Sequence, residues 1–289
     1  MELYNNINSI TYSHFVELLK LYLEYKNVVR IVVTLNEYSE INRISKDQAI
    51  FIERSNKKFA SKFINDLGDS FVTTVDWNDH LGETFAIFVS FDCSLAKLNA
   101  DYESNNYSFN ELGRLLQIPE CCIDEYSRVI EGEDWLKIWL GVAENFSFHN
   151  HKANHLSSYI SGCSLHGDYL PCSISCKLSI EKANDGIKTL KFFELFGLLE
   201  KAINYSKFPL IAIDNYILFF SSINKIVDKK SMNILPNSIF IHGKIEQHEK
   251  EIIQKSEKIE ITYDLIYFSG FKDFYIDTKN KFFKVINFK

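Results

Sequence analysis

Apolar residues recur at helical or strand-like spacing through the first third of the chain. Residues 10–26 carry apolar positions every three or four residues and predict a helix. The β-branched run VVRIVVTL (28–35) predicts a buried strand, and the spacing over 45–67 predicts a second helix. Two further apolar runs predict strands, SFVTTVDW (70–77) and TFAIFVSF (84–91). Residues 1–92 are therefore predicted to form a mixed α/β unit.

The middle of the chain, residues 93–205, is predicted to be helical. Ser108 and Glu111 have the spacing of a capping box, which predicts a helix start. Pro119 and Pro171 predict two more starts, because proline suits the first helical position. The remaining predicted helices are EDWLKIWLGVAENF (133–146) and the strongly apolar DGIKTLKFFELFGLLEKAINY (185–205).

The last region, residues 206–289, is rich in β-branched and aromatic residues and is predicted to be mainly β. FPLIAIDNYILFFSS (208–222) predicts two strands that turn at Asp214-Asn215. A short helix is expected over 246–257, before further strands. The three regions together predict an α+β (or α/β) protein with soft boundaries near 93 and 205.

Composition and charge exclude several classes of protein. The net charge is −6 at pH 7 and no long run of Lys or Arg occurs, so general nucleic-acid binding is disfavoured. No apolar run approaches the roughly 18 residues of a membrane span, and the N-terminus lacks the features of a signal peptide. We therefore expect a cytoplasmic protein. Cysteines are normally reduced there, which favours a metal or catalytic role for clustered cysteines over structural disulfides.

Two short segments repeat a proline followed by cysteines, in a chain that has only four prolines and six cysteines. PECC ends at Cys121 and Cys122, and PCSISC carries Cys172 and Cys176. Helix starts at the two prolines would place Cys121, Cys122 and Cys172 in first turns, where the positive end of the helix stabilises a thiolate. Residues four apart lie on one helical face, so Cys172 and Cys176 could bind one ion.

Further candidate ligands lie between the two segments. Cysteine sulfur and histidine nitrogen bind zinc or iron in such mixtures, whereas cysteines alone suit an iron–sulfur cluster. The candidates for a metal site are Cys121, Cys122, Cys163, Cys172 and Cys176, followed by His149, His151, His155 and His166. The remaining cysteine, Cys93, is expected to be structural.

Three interpretations of the cysteines stay open at this point. The first is a shared metal, which requires Cys121 or Cys122 to lie near Cys172 or Cys176. The second is a metal-free thiol–disulfide enzyme, which requires the same proximity. The third is a module without enzymatic activity, in which zinc or the packing of buried cysteines stabilises the fold and the aromatic C-terminal region binds a partner.

The segment ELGRLLQIPECCIDEY resembles the core of a prokaryotic family called domain of unknown function 483. Members of that family read close to L-G-R-L-L-G-Y-P-E-C-C, with a later P-C-S-x-x-C. The chain departs from the first motif at Gln117 and Ile118 and carries the second from Pro171 to Cys176. The resemblance spans roughly residues 85–185 and implies a paired-cysteine core without an assigned reaction.

These features predict a cysteine-centred metalloprotein that holds an iron–sulfur cluster or zinc. A function in peptide or small-molecule modification is the leading hypothesis, with a small molecule or peptide as partner and no membrane association. The pattern specifies neither the substrate nor an oligomeric state.

Overall fold

The structure is a computed structural model of the 289-residue chain. It describes residues 12–45, 49–63, 70–76, 84–105, 108–130, 135–141, 143–144, 147–155, 163–167, 169–213, 216–220, 223–228, 231–234, 238–243, 245–262, 265–279, 281 and 283–288. Helices and sheets are both well represented in these ranges, so the protein has a mixed α+β fold, as predicted. No helix in the described part of the chain is long and apolar enough to cross a membrane.

The N-terminal region is a four-stranded antiparallel sheet with helices packed against it. Its elements in chain order are α1 (Tyr12–Tyr22), β1 (Val28–Thr34), α2 (Leu35–Ser45), β2 (Phe51–Phe63), β3 (Ser70–Asp76) and β4 (Thr84–Ser90). The strand order is β1-β4-β2-β3. The predicted strands at 28–35, 70–77 and 84–91 are confirmed. β4 is almost completely buried because apolar clusters cover both of its faces, whereas three of the seven residues of β1 are half-buried.

The helix predicted over 45–67 is wrong, because residues 51–63 form strand β2. Phe51, Ile52 and Phe59 have spacings that also fit a helix, but β2 pairs with β4 on one side and β3 on the other. Two ladders of backbone hydrogen bonds outweigh a local preference of a few tenths of a kcal/mol per residue. The helix α2 was missed, since its polar sequence LNEYSEINRIS buries only a narrow face.

The middle region is helical as predicted. Its helices are α3 (Cys93–Ser104), α4 (Phe109–Leu115), α5 (Glu120–Ile130), α6 (Trp135–Gly141), α7 (Lys177–Phe192) and α8 (Phe196–Ser206). A three-residue strand β5 (Ser147–His149) and a 3₁₀ turn (His151–Ala153) lie between α6 and α7. Ser108 does precede α4, but its side chain makes no capping hydrogen bond.

The single helix predicted over 185–205 is two helices. The chain breaks between α7 and α8 at Glu194, whose φ of 55° is left-handed and cannot continue an α-helix. The N–H groups of Glu194 and Leu195 return to the carbonyls of Lys191 and Leu190, which closes the end of α7.

The C-terminal region is predominantly β, as predicted. It contains β6 (Leu210–Ile213), β7 (Tyr216–Phe220), β8 (Ile223–Asp228), β9 (Ser231–Ile234), β10 (Ile239–Gly243), α9 (Gln247–Lys255), β11 (Lys258–Ile261), β12 (Leu265–Ser269), β13 (Phe274–Asp277) and β14 (Phe283–Phe288). The two five-stranded sheets have the orders β10-β7-β6-β14-β5 and β13-β12-β11-β9-β8. β6 and β7 pair antiparallel with Ile213 opposite Tyr216, as a hairpin requires, although Asp214 and Asn215 lie outside the described residues.

Side chains of both C-terminal sheets share one core. Ile211 and Phe220 from the first sheet contact the same buried cluster as Ile266 and Phe268 from the second. The first sheet also contains β5, a strand of the middle region, which pairs parallel with β14. The three sequence regions therefore touch through shared sheets and cores, while the predicted division into domains at 93 and 205 stays a prediction.

A close backbone crossing fixes the 163–167 segment against α7. Gly186 lies inside α7, and a Cβ atom built on it would lie 2.1 Å from the carbonyl oxygen of Leu165. No side chain fits at that distance, so the 163–167 segment can cross α7 only because residue 186 is glycine.

We predict that Gly186→Ala lowers the free energy of unfolding by about 3 kcal/mol, as overpacking against backbone does. Gly197→Ala in α8 is the matched control, because a Cβ there meets nothing within 4 Å. Gly197→Ala should leave the free energy of unfolding unchanged or raise it by up to about 1 kcal/mol. Chemical denaturation of the two variants measures the difference, and equal stabilities would contradict the crossing.

A buried ion pair lies on α1. The carboxylate of Glu17 accepts hydrogen bonds from Lys20 at 2.6 Å and from Lys26 at 2.5 Å, and Glu17 and Lys20 are almost fully buried. Burial raises the pKa of Glu17, but the two ammonium groups outweigh that effect and lower it to about 2. The folded protein therefore favours the ionised carboxylate.

Because the pKa of Glu17 is lower in the folded protein than its ordinary 4.5, its contribution to stability is complete above pH 5. That contribution, on the order of 3 kcal/mol, should be lost as the pH falls from about 5 to about 2. We predict that the stability difference between wild type and Glu17→Gln shrinks over this range in urea unfolding. Glu251→Gln, which removes an exposed partner of Lys255, is the control. The difference in stability between this variant and the wild type should change little with pH.

Candidate metal centre

The first pair of cysteines lies in the first turn of α5. Helix α5 begins at Glu120, directly after Pro119, whose carbonyl accepts the N–H groups of Cys122 at 2.8 Å and Ile123 at 3.1 Å. The helix start predicted at Pro119 is confirmed to within one residue. Arg114 forms an ion pair with Glu120 across the preceding turn and so ties the end of α4 to the start of α5.

The second helix start was predicted at Pro171, and this prediction is wrong. Helix α7 begins six residues later at Lys177, and residues 171–175 form an irregular turn. The turn-forming residues of HGDYLPCS compete with the helix there. Cys172 therefore lies in the turn, and the helical face predicted for Cys172 and Cys176 does not exist. Cys176 instead occupies the position immediately before α7.

Ile174 anchors this turn. Its side chain is fully buried with Trp139 and Leu140 of α6 and with residues of the first C-terminal sheet. Its N–H donates to the carbonyl of Trp139 at 3.0 Å. Since Cys172 and Cys176 each lie two residues from Ile174, this anchor holds both thiols at one place.

The four cysteines of the two segments meet. The Sγ atom of Cys176 lies 3.8 Å from that of Cys121 and 3.7 Å from that of Cys122, and the sulfurs of Cys121 and Cys122 are 3.9 Å apart. With Cys172 included, all four sulfurs lie within 4.8 Å of one another. The predicted proximity of the two segments, which are 55 residues apart, is confirmed.

The four thiols are electrostatically unequal. Hydrogen bonds from Cys122 and Cys172 lower the pKa of Cys176, and the hydroxyl and N–H of Ser179 lower it further against the effect of burial. Hydrogen bonding to Cys172 and Cys176, together with burial, raises the pKa of Cys122, and burial first of all raises that of Cys121. For Cys172 the bond with Cys122 lowers the pKa, but the bond with Cys176 and burial raise it to about 12.

This inequality has a simple cause. Four sulfurs at these distances cannot all carry negative charge, so one thiolate forms and keeps its neighbours protonated. Cys176 is favoured because the thiols of Cys122 and Cys172 donate to it first of all, and the hydroxyl and N–H of Ser179 add to this. A cation among the sulfurs would remove the repulsion and allow the other thiols to ionise.

Tyr169 contacts the cysteine site through its hydroxyl and a buried histidine through its backbone carbonyl. The hydroxyl of Tyr169 donates to Ser179 Oγ at 3.1 Å, and Ser179 Oγ lies 3.5 Å from Cys122 Sγ. His166 Nε2 lies 3.3 Å from the Tyr169 carbonyl and 3.0 Å from His155 Nδ1. A carbonyl only accepts, so Nε2 of His166 carries the proton and His155 Nδ1 accepts it.

Burial, and then the nearby His155 and Lys20, lower the pKa of His166 well below its usual value, so this ring is neutral. Its Nε2 is engaged with two acceptors rather than directed at the sulfurs. His155 and His166 were candidate ligands, but they lie outside the group of four sulfurs that could hold a metal within the described residues.

The other candidates lie elsewhere. Cys163 is buried in an apolar cluster with Val16, Leu165 and Ala183, and burial raises the pKa of its thiol to about 11. His149 Nε2 lies 2.7 Å from Ser147 Oγ, and His151 is half-buried in the 3₁₀ turn. Within the described residues, the group that could hold a metal consists of Cys121, Cys122, Cys172 and Cys176. Cys93 is exposed at the start of α3.

A cavity of about 320 Å³ opens beside the sulfurs. Cys122 forms part of its wall, together with Tyr169 and His155. Leu112, Leu116, Ile118 and Ile123 give it an apolar side, and Arg30 and Glu103 give it a charged one. Cys122 therefore belongs both to the group of four cysteines and to the wall of the cavity.

Comparison with known proteins agrees with the resemblance predicted from the PECC segment. Residues 103–204, roughly a third of the chain, match the model of a family described as "Protein of unknown function (DUF483)". All four clustered cysteines fall inside the matched segment, which begins and ends later than the predicted 85–185. Neither the curated proteins nor the solved structures gave a match to the chain.

Sequence reasoning missed the residues around the sulfurs. Ser179 and Tyr169 give no motif, although serine three residues after Cys176 is where a helix N-terminus presents a free N–H. Arg30 and Glu103 come from the N-terminal sheet and from α3, and nothing in their local sequence links them to the cysteines.

We predict that Tyr169→Phe lowers the free energy of unfolding by about 1 kcal/mol, because it removes a hydrogen bond to buried Ser179. Tyr275→Phe is the control, since that side chain is 66% exposed, and its stability should be unchanged. Urea denaturation compares the two, and a Tyr169 variant as stable as the control would refute the hydrogen bond.

Proposed function

We propose that this protein is a zinc protein in which Cys121, Cys122, Cys172 and Cys176 hold a single ion. The observation that carries the proposal is the spacing of the four sulfurs. Zinc–sulfur bonds of about 2.3 Å in a tetrahedron place neighbouring sulfurs roughly 3.8 Å apart. The three measured separations of 3.7 to 3.9 Å fit that geometry, with four thiolates as the donor set.

The same spacing argues against an iron–sulfur cluster. A cluster binds its cysteines through different irons separated by bridging sulfides, so its ligating sulfurs must spread more widely. The four sulfurs within 4.8 Å enclose room for one ion. Tetrahedral sulfur coordination suits zinc, and iron would have to bind here as a single ion.

Four protein ligands leave no open position on the zinc, which is typical of a structural site. Such an ion would tie the start of α5 to the 171–176 turn and the start of α7. It would thereby support the wall of the cavity that Cys122 shares. We therefore infer that the zinc builds a binding site and that the cavity takes the small molecule or peptide on which the protein acts.

Metal analysis of protein purified without oxygen tests the proposal. We expect one zinc ion per chain by native mass spectrometry and elemental analysis, and a colourless protein. Cys122→Ser and Cys176→Ser should each lose most of the zinc, and a chelator should lower the melting temperature of the wild type. Cys93→Ser and Cys163→Ala are the controls and should retain the full zinc content.

Three results would overturn the proposal. A brown protein that contains iron and sulfide would indicate a cluster. If Cys163→Ala lost its zinc while its melting temperature stayed unchanged, Cys163 would be a zinc ligand and the set of four cysteines would be wrong. A metal-free protein with a disulfide between Cys176 and Cys121 or Cys122 would indicate thiol–disulfide chemistry, for which these sulfurs are also close enough.

A further inference from the structure

The four clustered cysteines differ in their exposure to solvent. Cys122 and Cys176 are 1% and 5% exposed, whereas Cys121 and Cys172 are half-buried. Cys121 also follows Glu120, whose side chain is 52% exposed, in the first turn of α5. An oxidant dissolved in water therefore reaches the cluster at Cys121 or at Cys172.

Cys121 has a partner within reach on the other cysteine segment. Its Sγ atom lies 3.8 Å from that of Cys176. A disulfide bond is about 2.05 Å long, so these two sulfurs need to approach each other by less than about 2 Å. Because Cys121 lies in the first turn of α5 and Cys176 directly before α7, such a bond would join the two helix starts.

The other short separations are less suitable for a disulfide. The sulfurs of Cys121 and Cys122 are 3.9 Å apart, but consecutive Cα atoms lie only about 3.8 Å apart, whereas disulfides span roughly 4.4–6.8 Å. Cys122 and Cys176 are 3.7 Å apart, but both are buried away from an oxidant. The backbone of Cys172 is held at Cys122, since its N–H donates to that sulfur at 3.4 Å.

We propose that Cys121 and Cys176 form a modification site, at which hydrogen peroxide converts the metal centre into a disulfide and releases the zinc. The inference rests on the proposed function, because zinc binding keeps both sulfurs as thiolates, the form that peroxide oxidises. An accessible thiolate beside a second cysteine is the arrangement found in cysteines that respond to peroxide.

The oxidation takes place in two steps. The thiolate of Cys121 attacks one oxygen of the peroxide, the O–O bond breaks, hydroxide leaves, and Cys121 becomes a sulfenic acid. The thiolate of Cys176 then attacks the sulfenic sulfur, which forms the S–S bond and releases a second hydroxide. The two sulfurs lose two electrons and one peroxide gains them. Only Cys122 and Cys172 are left to the zinc, which are too few for a closed site of four ligands.

The disulfide preserves the connection that the zinc provides. Both link the start of α5 to the segment before α7, through residues that are 55 positions apart in the chain. A cross-link that closes a loop of this length stabilises the folded state. The oxidised protein therefore loses its metal while its two helix starts stay joined, and reduction of the disulfide restores the site.

Peptide mapping of the oxidised protein tests the assignment. The full chain with Cys93→Ser and Cys163→Ala retains only the four clustered thiols. This variant is loaded with zinc and treated with hydrogen peroxide, its remaining thiols are alkylated, and trypsin cuts it after Lys and Arg. Two peptides then carry the cluster, residues 115–128 and residues 153–177.

We expect a bond between Cys121 and Cys176 to join the two peptides, and fragmentation in the mass spectrometer identifies the bonded residues. A chromogenic zinc dye should show that most of the zinc is released as this bond forms. A bond from Cys121 to Cys122 or to Cys172, a sulfinic acid in place of a disulfide, or intact thiols with zinc still bound would overturn the proposal.

Cys121→His separates metal binding from disulfide formation. Histidine nitrogen is also a zinc ligand, and the half-buried position leaves space toward solvent, so this variant should hold zinc. It cannot form the disulfide, so peroxide should release its zinc roughly tenfold more slowly than that of the wild type, or slower still. Equal rates of release from the two zinc-loaded proteins would contradict the role of Cys121.

Thermal unfolding tests whether the connection is preserved. The oxidised wild type should melt about 5 °C or more above reduced protein from which a chelator has removed the zinc. A melting temperature of the oxidised protein equal to or below that of the reduced, zinc-free protein would contradict it.

Zinc content measured before peroxide is added separates the two proposals. Protein purified without oxygen that holds zinc but forms no bond between Cys121 and Cys176 contradicts only the modification. Protein that holds no zinc at that stage contradicts the metal centre, whatever peroxide then does to its cysteines.

Discussion

The burial of Ile174 is the constraint on which the cysteine site depends. This side chain fills a core made by Trp139 and Leu140 of α6 and by Leu210 and Ala212 of strand β6, together with Ile217 and Ile286. Removal of a buried isoleucine side chain typically costs about 2–5 kcal/mol, which is a large part of the stability of a domain. The turn that carries Cys172 and Cys176 is therefore held by the joint between the helical region and the C-terminal sheets. The position of the sulfurs is a property of the whole fold.

The electrostatics of the site come from two helix starts that approach the same sulfurs. Cys121 and Cys122 lie in the first turn of α5, and Cys176 precedes the first turn of α7. A partial positive charge belongs to both helix starts, and the N–H of Ser179 in α7 donates to the sulfur of Cys176. Helix α7 begins directly after Cys176 rather than at the predicted Pro171. Its positive end still acts on a thiol of the cluster, because this effect depends on the position of Cys176 and not on that of the proline.

The sequence predicted much of this arrangement because its signals were local. The PECC start of α5, the β-rich C-terminal region and the hairpin at β6 and β7 all follow from periodicity and turn chemistry. Strand β2 was misassigned because its stability comes from two neighbouring strands that no local pattern reveals. The charged end of the cavity was invisible for the same reason, since Arg30 and Glu103 are 73 residues apart. The proximity of the two cysteine segments could be stated as a hypothesis only because the proline–cysteine pattern occurs twice.

Cys122 belongs both to the four sulfurs and to the wall of the cavity. Two binding events that share a residue are thermodynamically linked whenever one of them changes the position or charge of that residue. Linkage is reciprocal, so a metal ion that raises the affinity of the cavity for its ligand is itself held more tightly, by the same factor, when the ligand is bound. If a metal ion and a cavity ligand bind as proposed, the shared sulfur would make the occupancy of each site sensitive to the concentration of the other's ligand.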